Sequence, residues 1–112
     1  MKIPFSPLRC ALLGLGLAAV HGGAAAADAA AGKVKAQACA VCHGPLGLSN
    51  MPDSPHLAGQ PELYLSNQLR AFRSGERRHG VMQLIAKPLS DIDIADLAAW
   101  FAALKVDVRA PG

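Results

Sequence analysis

Apolar residues recur at helical spacing in three parts of the chain. The first predicted helix runs from about residue 29 to residue 41. The second starts with Pro61, because proline is favoured at the first helical position, and is stopped by Ser74 and Gly75. The third starts at Ser90. No segment alternates apolar and polar residues for long with many β-branched residues, so the predicted fold is all-α.

Each predicted helix carries apolar residues at positions that share a face. Ser90, followed by Asp93, is a capping-box-like start for the third helix, where acidic residues also favour the helix dipole. Residues 44–60 and 76–89 contain glycines and prolines and are predicted to be long loops. The apolar positions are Val34, Ala38 and Val41 in the first helix, Leu65, Leu69 and Phe72 in the second, and Ile94, Leu97, Trp100, Phe101 and Leu104 in the third.

Residues 1–27 have the parts of a secretory signal peptide and are set apart from the predicted domain at 28–112. A short basic segment is followed by an apolar run at 10–20 and by small residues at 25–27, after which cleavage is expected. The apolar run is shorter than the roughly 20 residues of a membrane span, which disfavours an uncleaved anchor. We therefore predict export to the periplasm and no stable membrane insertion.

Removing this leader changes the charge of the protein. The 112 residues carry a formal net charge of +3, but two basic residues and no acidic residue lie in the leader. The domain is thus close to neutral, and it has no basic stripe with interleaved aromatics, so nucleic-acid binding is not expected. Arg70, Arg73, Arg77 and Arg78 are interpreted as a solvated helix face rather than a docking patch for an acidic partner.

The strongest chemical signal is the run CAVCH at residues 39–43. In an exported chain, C-x-x-C-H is a haem attachment sequence. Two thiols three positions apart can each add to one vinyl group of a haem, and the adjacent histidine is then held under the iron as an axial ligand. The sequence therefore predicts one covalent haem c, bound through Cys39 and Cys42, with His43 on the iron.

Other interpretations of this run have less support. A thioredoxin-like redox pair lies at a strand-to-helix turn, and no strands are expected here. A structural zinc ion needs four ligands, and the remaining histidines, His56 and His79, have no recognisable zinc spacing. No Ser-His-Asp set, carboxylate pair or phosphate-binding loop stands out either, so the chain is expected to be an electron carrier without substrate turnover.

The sixth position of the iron decides between electron transfer and ligand chemistry. Met51, Met82, His56 and His79 are the candidate ligands. Met82 is far enough from His43 to reach the opposite face of the ring, whereas Met51 is so near in sequence that we expect it to stay on the histidine side. Spacing favours Met82, but any single methionine also has the alternative role of filling a gap in the core.

Residues 32–104 resemble a class I cytochrome c, nearest to one half of the bacterial two-haem cytochrome c4 and to single-haem relatives such as cytochrome c553. This implies a small cytochrome c fold, with three main helices and long loops wrapped around one haem. The chain differs in having a single C-x-x-C-H, so a paired-haem architecture does not carry over. The resemblance rests on residues 39–44 (CAVCHG), 55–60 (PHLAGQ), Tyr64, 68–69 (QL), 81–82 (VM), 89–91 (LSD) and 100–101 (WF).

The resemblance also implies roles for particular residues. It places the sulfur of Met82 on the iron and lets the carbonyl of Pro55 accept a hydrogen bond from the free ring nitrogen of His43. It further implies that Gly32 allows the first helix to approach Trp100 closely, at a position where the family usually has tyrosine.

The expected function is single-electron transfer in the periplasm by a monomer with His/Met ligation, late in a respiratory chain. The expected partners are a membrane oxidoreductase, a terminal oxidase or a periplasmic dehydrogenase. One alternative is a haem-bearing subunit of a periplasmic dehydrogenase or sulfur-oxidising complex. Another is a small-molecule sensor or peroxidase-like protein, which needs an open or labile sixth position.

Overall fold

The computed structural model describes residues 25–112 as a set of helices joined by long loops, and this part of the chain contains no strand. The predicted all-α class is therefore confirmed. The predicted signal peptide lies outside the described residues except for its last three. No helix between residues 25 and 112 is long and apolar enough to cross a membrane. The elements are α1 (Ala29–Lys35), a 3-10 helix (Ala36–Cys39), α2 (Ala40–His43), α3 (Glu62–Ser74), α4 (Gly80–Ala86) and α5 (Asp91–Ala103).

The first predicted helix is present as the continuous helical run of α1, the 3-10 helix and α2. Its buried face differs from what the apolar spacing suggests. Val34 and Val41 are 67% and 85% exposed, and Ala38 is exposed as well. The buried residues are instead Gly32 and Ala36. A close helix crossing selects the smallest side chains, so in an alanine-rich helix the largest apolar residues do not mark the packed face.

That crossing brings α1 against α5. A Cβ atom added to Gly32 would lie 2.8 Å from the Cβ of Trp100 and 2.6 Å from the carbonyl carbon of Asp96. Both distances are shorter than the roughly 3.5 Å of a normal carbon contact. Only glycine therefore fits here, and the close approach of Gly32 to Trp100 that the resemblance implied is present.

Charged groups stabilise the same crossing. The Asp96 side chain is buried, and its two oxygens accept hydrogen bonds from the Asp28 backbone N–H (2.7 Å) and from Lys35 Nζ (2.6 Å). Lys35 also pairs with Asp93 at 2.8 Å. The hydrogen bonds from Lys35 lower the pKa values of both carboxyl groups, and the carboxylates raise the pKa of Lys35.

The start of α5 matches its prediction. The Ser90 hydroxyl accepts a hydrogen bond from the Asp93 backbone N–H, and the Asp93 carboxylate accepts one from the Ser90 N–H, which completes a capping box. Arg73 of α3 fixes this helix start by donating to the Leu89 carbonyl (2.9 Å) and pairing with Asp91 (2.6 Å). Of the four arginines interpreted as a solvated helix face, at least Arg73 therefore stabilises the fold.

The second predicted helix is α3, with Pro61 as its N-cap rather than its first residue. It ends where Gly75 takes the left-handed conformation, with φ of 84°, which favours glycine. Leu65 and Phe72 are buried and Leu69 is half-buried, as expected. α3 packs against α5, and the central core consists of Ala36, Leu65, Leu97, Ala98 and Phe101.

The prediction of a continuous loop over residues 76–89 is wrong, because α4 forms within it and packs against α3. Its first turn has no acidic residue, and its only cap is the side chain of His79. Histidine is not among the preferred N-cap residues, so the usual sequence signal of a helix start is missing. Burial of Ala86 against neighbouring elements holds the last turn.

Candidate haem-binding site

Cys39, Cys42 and His43 lie on one helical run that ends at the histidine. Both cysteines are free thiols and half-buried. Burial raises the pKa of the Cys39 thiol, which keeps it protonated at neutral pH. A redox-active cysteine pair needs the opposite, a thiol whose pKa is lowered. The environment of Cys39 thus disfavours the thioredoxin-like interpretation.

The imidazole of His43 is buried and held in one orientation. Its Nδ1 lies 2.8 Å from the carbonyl oxygen of Pro55, which fixes Nδ1 as the donor. The other ring nitrogen, Nε2, makes no hydrogen bond to a described residue, and no buried side-chain nitrogen or oxygen in residues 25–112 lacks a partner. With Nδ1 directed at the Pro55 carbonyl, Nε2 is the ring nitrogen that remains to bind a metal.

The loop after His43 is folded back by hydrogen bonds. Ser49 Oγ donates to the Cys42 carbonyl (2.7 Å), and the Ser49 N–H donates to Nδ1 of His56 (2.8 Å). The Leu57 N–H donates to the Gly47 carbonyl at 2.7 Å. These bonds bring the segment with Pro55 beside His43. Sequence reasoning missed Ser49, because a serine in a loop has no signal that distinguishes a structural hydrogen bond from solvent exposure.

The four candidates for the sixth position fall into two groups. Met51 and His56 belong to the loop that contains Pro55, and the Met51 N–H donates to Ser49 Oγ at 3.0 Å. Met82 lies on α4 and is half-buried, and its backbone N–H donates to Nδ1 of His79 at 3.3 Å. The two methionines thus belong to separate parts of the fold.

The residues present fit a covalently bound haem. The donor set comprises two free thiols, one imidazole with a free Nε2, and thioether side chains. α4 also leaves Val81, Leu84 and Ile85 exposed, and an apolar macrocycle is a suitable partner for aliphatic surface that the protein itself does not cover. The described part of the chain contains no group of three or more His, Cys, Asp or Glu residues that could by itself hold a metal ion.

Comparison with known proteins decides the family. The family model for cytochrome c matches residues 29–105. The chain belongs to the cytochrome c family. The C-x-x-C-H run of this cytochrome is accordingly the attachment site of one covalent haem c, as the sequence predicted.

Cytochromes of the c4 type and single-domain relatives are both similar to this chain. Cytochrome c4 of Pseudomonas aeruginosa is 48% identical over 84 residues, which cover 75% of this chain and 42% of the relative. Cytochrome c-554(548) of Halomonas halodenitrificans is 43% identical over 81 residues, covering 70% and 98%. The chain therefore spans less than half of the first relative and nearly all of the second.

Two further similarities extend this picture. The thiosulfate dehydrogenase electron acceptor of Thiomonas intermedia is 42% identical over 102 residues, covering 90% of this chain and 46% of that protein. The crystal structure of reduced cytochrome c4 from Pseudomonas stutzeri superposes with a TM-score of 0.69 at 40% identity, covering 74% of this chain and 48% of that one. The small cytochrome c fold is thus confirmed.

Proposed function

We propose that this protein is a periplasmic single-haem electron carrier whose iron is ligated by His43 and Met82. The observation that carries the proposal is the helical run that joins Cys39 and Cys42 to a buried His43 with a fixed ring and a free Nε2. Such a site keeps the imidazole in the same position in both oxidation states of the iron. A fast electron carrier needs this, because structural change slows electron transfer.

The bound haem supplies a one-electron couple between Fe(III) and Fe(II). The Pro55 carbonyl, 2.8 Å from His43 Nδ1, keeps the imidazole oriented and makes it a stronger donor to the iron. Met82 contributes a neutral thioether, which favours the reduced state and raises the reduction potential relative to a second histidine. A high potential suits a carrier that works late in a respiratory chain.

Export supports the location. The basic segment, apolar run and small residues at 25–27 have the order of a cleaved leader, and haem attachment through C-x-x-C-H is expected in an exported chain. N-terminal sequencing of the holoprotein from the periplasmic fraction tests this. We expect a mature chain that starts at Asp28, and a holoprotein that keeps residues 1–27 and sediments with membranes would contradict it.

The ligand assignment is tested by Met82→Ala, with Met51→Ala as the matched control. We expect Met82→Ala to lose the red absorption band of methionine-ligated iron(III) and to bind carbon monoxide in the ferrous state at neutral pH. Met51→Ala is expected to keep the band and to exclude carbon monoxide. The opposite pattern would identify Met51 as the methionine ligand of the iron. Prompt carbon monoxide binding by the wild type would instead favour the sensor or peroxidase-like alternative.

The similarity to the thiosulfate dehydrogenase electron acceptor supports a second candidate function. In it, the protein is a haem-bearing subunit of a periplasmic dehydrogenase or sulfur-oxidising complex. A free carrier is expected to be a monomer that docks weakly through a small interface. Gel filtration of the native periplasmic extract separates the two functions. Elution at the monomer size supports the carrier, and stable co-elution with a dehydrogenase supports the subunit.

A further inference from the structure

His79 connects the Met82 backbone to the core of the domain. Its Nδ1 accepts the hydrogen bond of the Met82 N–H at 3.3 Å, and its own backbone N–H donates to Oε1 of Gln83 at 3.2 Å. Its ring meets the ring of Phe72 edge to face, with centroids 6.4 Å apart. Phe72 lies on α3 and is buried. One side chain therefore links the first turn of α4 to the fixed helix beside it.

Among contacts within the protein itself, α4 has little besides this link to hold its first turn. The helix has seven residues, which is well below the length at which a helix is stable on its own. No acidic residue lies in its first turn, so the N-terminal end of the helix dipole has no compensating charge. Val81, beside Met82, is exposed and adds no packing within the protein.

We infer that His79 is a positioning residue for Met82, which sets how firmly the thioether stays on the iron. The inference rests on the proposed ligation by Met82. The imidazole acts as the N-cap of α4 and accepts the N–H of the ligand residue itself, so the backbone from which the thioether extends is held in one place. Without this acceptor, the first turn of α4 frays and Met82 leaves the iron more often.

The test compares ferrous holoproteins for carbon monoxide affinity, with the methionine–iron(III) band of the oxidised form as a second readout. We expect His79→Ala to bind carbon monoxide about fivefold more tightly than the wild type, because losing an N-cap acceptor shifts a helix equilibrium by roughly that factor and the affinity scales with the open fraction. Its reduction potential is expected to fall. His79→Asn keeps a side-chain acceptor at the cap and is expected to restore the wild-type affinity and band.

The matched control is Ser90→Ala, which removes the side-chain cap of a different helix, α5, away from Met82. It is expected to lower stability while leaving carbon monoxide affinity at the wild-type value. The inference is overturned if His79→Ala binds carbon monoxide like the wild type, if Ser90→Ala raises the affinity equally, or if His79→Asn fails to rescue. If Met82→Ala keeps the methionine–iron(III) band, the proposed ligation by Met82 fails. If Met82→Ala loses the band while His79→Ala keeps the wild-type band and carbon monoxide affinity, the ligation stands and only the role of His79 is refuted.

Discussion

Replacing Gly32 with alanine tests how far the α1–α5 crossing depends on close approach. The new methyl group would lie 2.8 Å from the Cβ of Trp100 and 2.6 Å from the carbonyl carbon of Asp96, so the helices must separate by about 1 Å to reach a normal contact of roughly 3.5 Å. Overpacking of this kind costs about 1–3 kcal/mol. Separation also strains the hydrogen bonds that Asp96 accepts from Asp28 and Lys35.

Backbone preferences act in the opposite direction. Gly32 lies in α1, where alanine is favoured over glycine by about 0.5–1 kcal/mol. If α1 were free of close contacts, Gly32→Ala would therefore stabilise the protein. We expect a net loss of about 1–2 kcal/mol in the free energy of unfolding, since the steric cost exceeds the propensity gain.

Gly80→Ala is the matched control, because nothing lies within 4 Å of a Cβ placed there. Guanidinium unfolding of the oxidised holoproteins, followed by far-ultraviolet circular dichroism, measures both variants. Gly80→Ala is expected to match or slightly exceed the wild type. A Gly32→Ala protein as stable as the wild type would refute the close approach on which the packing of α1 is argued.

Two further predictions concern α5. Ser90→Ala removes the side-chain acceptor for the Asp93 N–H and is expected to lower the free energy of unfolding by about 1 kcal/mol in the same denaturation assay, without changing the slope. The lowered pKa of Asp96 contributes stability that is present above the ordinary value of 3.8 and is lost as the pH falls through its folded pKa. The raised pKa of Lys35 contributes stability that is present below 10.5 and is lost as the pH rises beyond it. Asp96→Asn should therefore lower stability at neutral pH and flatten its decline in acid, and an unchanged acid limb in unfolding experiments across pH would contradict this role.

Patterns among residues close together in the sequence identified those helix ends that are fixed by contacts within the same segment. The Ser90–Asp93 capping box predicted the start of α5, and Gly75 predicted the end of α3. α4 escaped detection because its cap is a histidine, and the preference of histidine for this position is weak. The outward orientation of Val34 was also missed, since the apolar period of an alanine-rich helix does not tell which side meets another helix.

The sequence alone determined the chemistry of the site, because covalent haem attachment needs only the short spacing of Cys39, Cys42 and His43 along one helical run. Tertiary structure decided what surrounds those residues. The Asp96 side chain meets the backbone of Asp28 across 68 positions of the chain, and His79 meets a ring on a different helix. Such contacts depend on how helices cross, and the spacing of residues within one segment contains no information about that crossing.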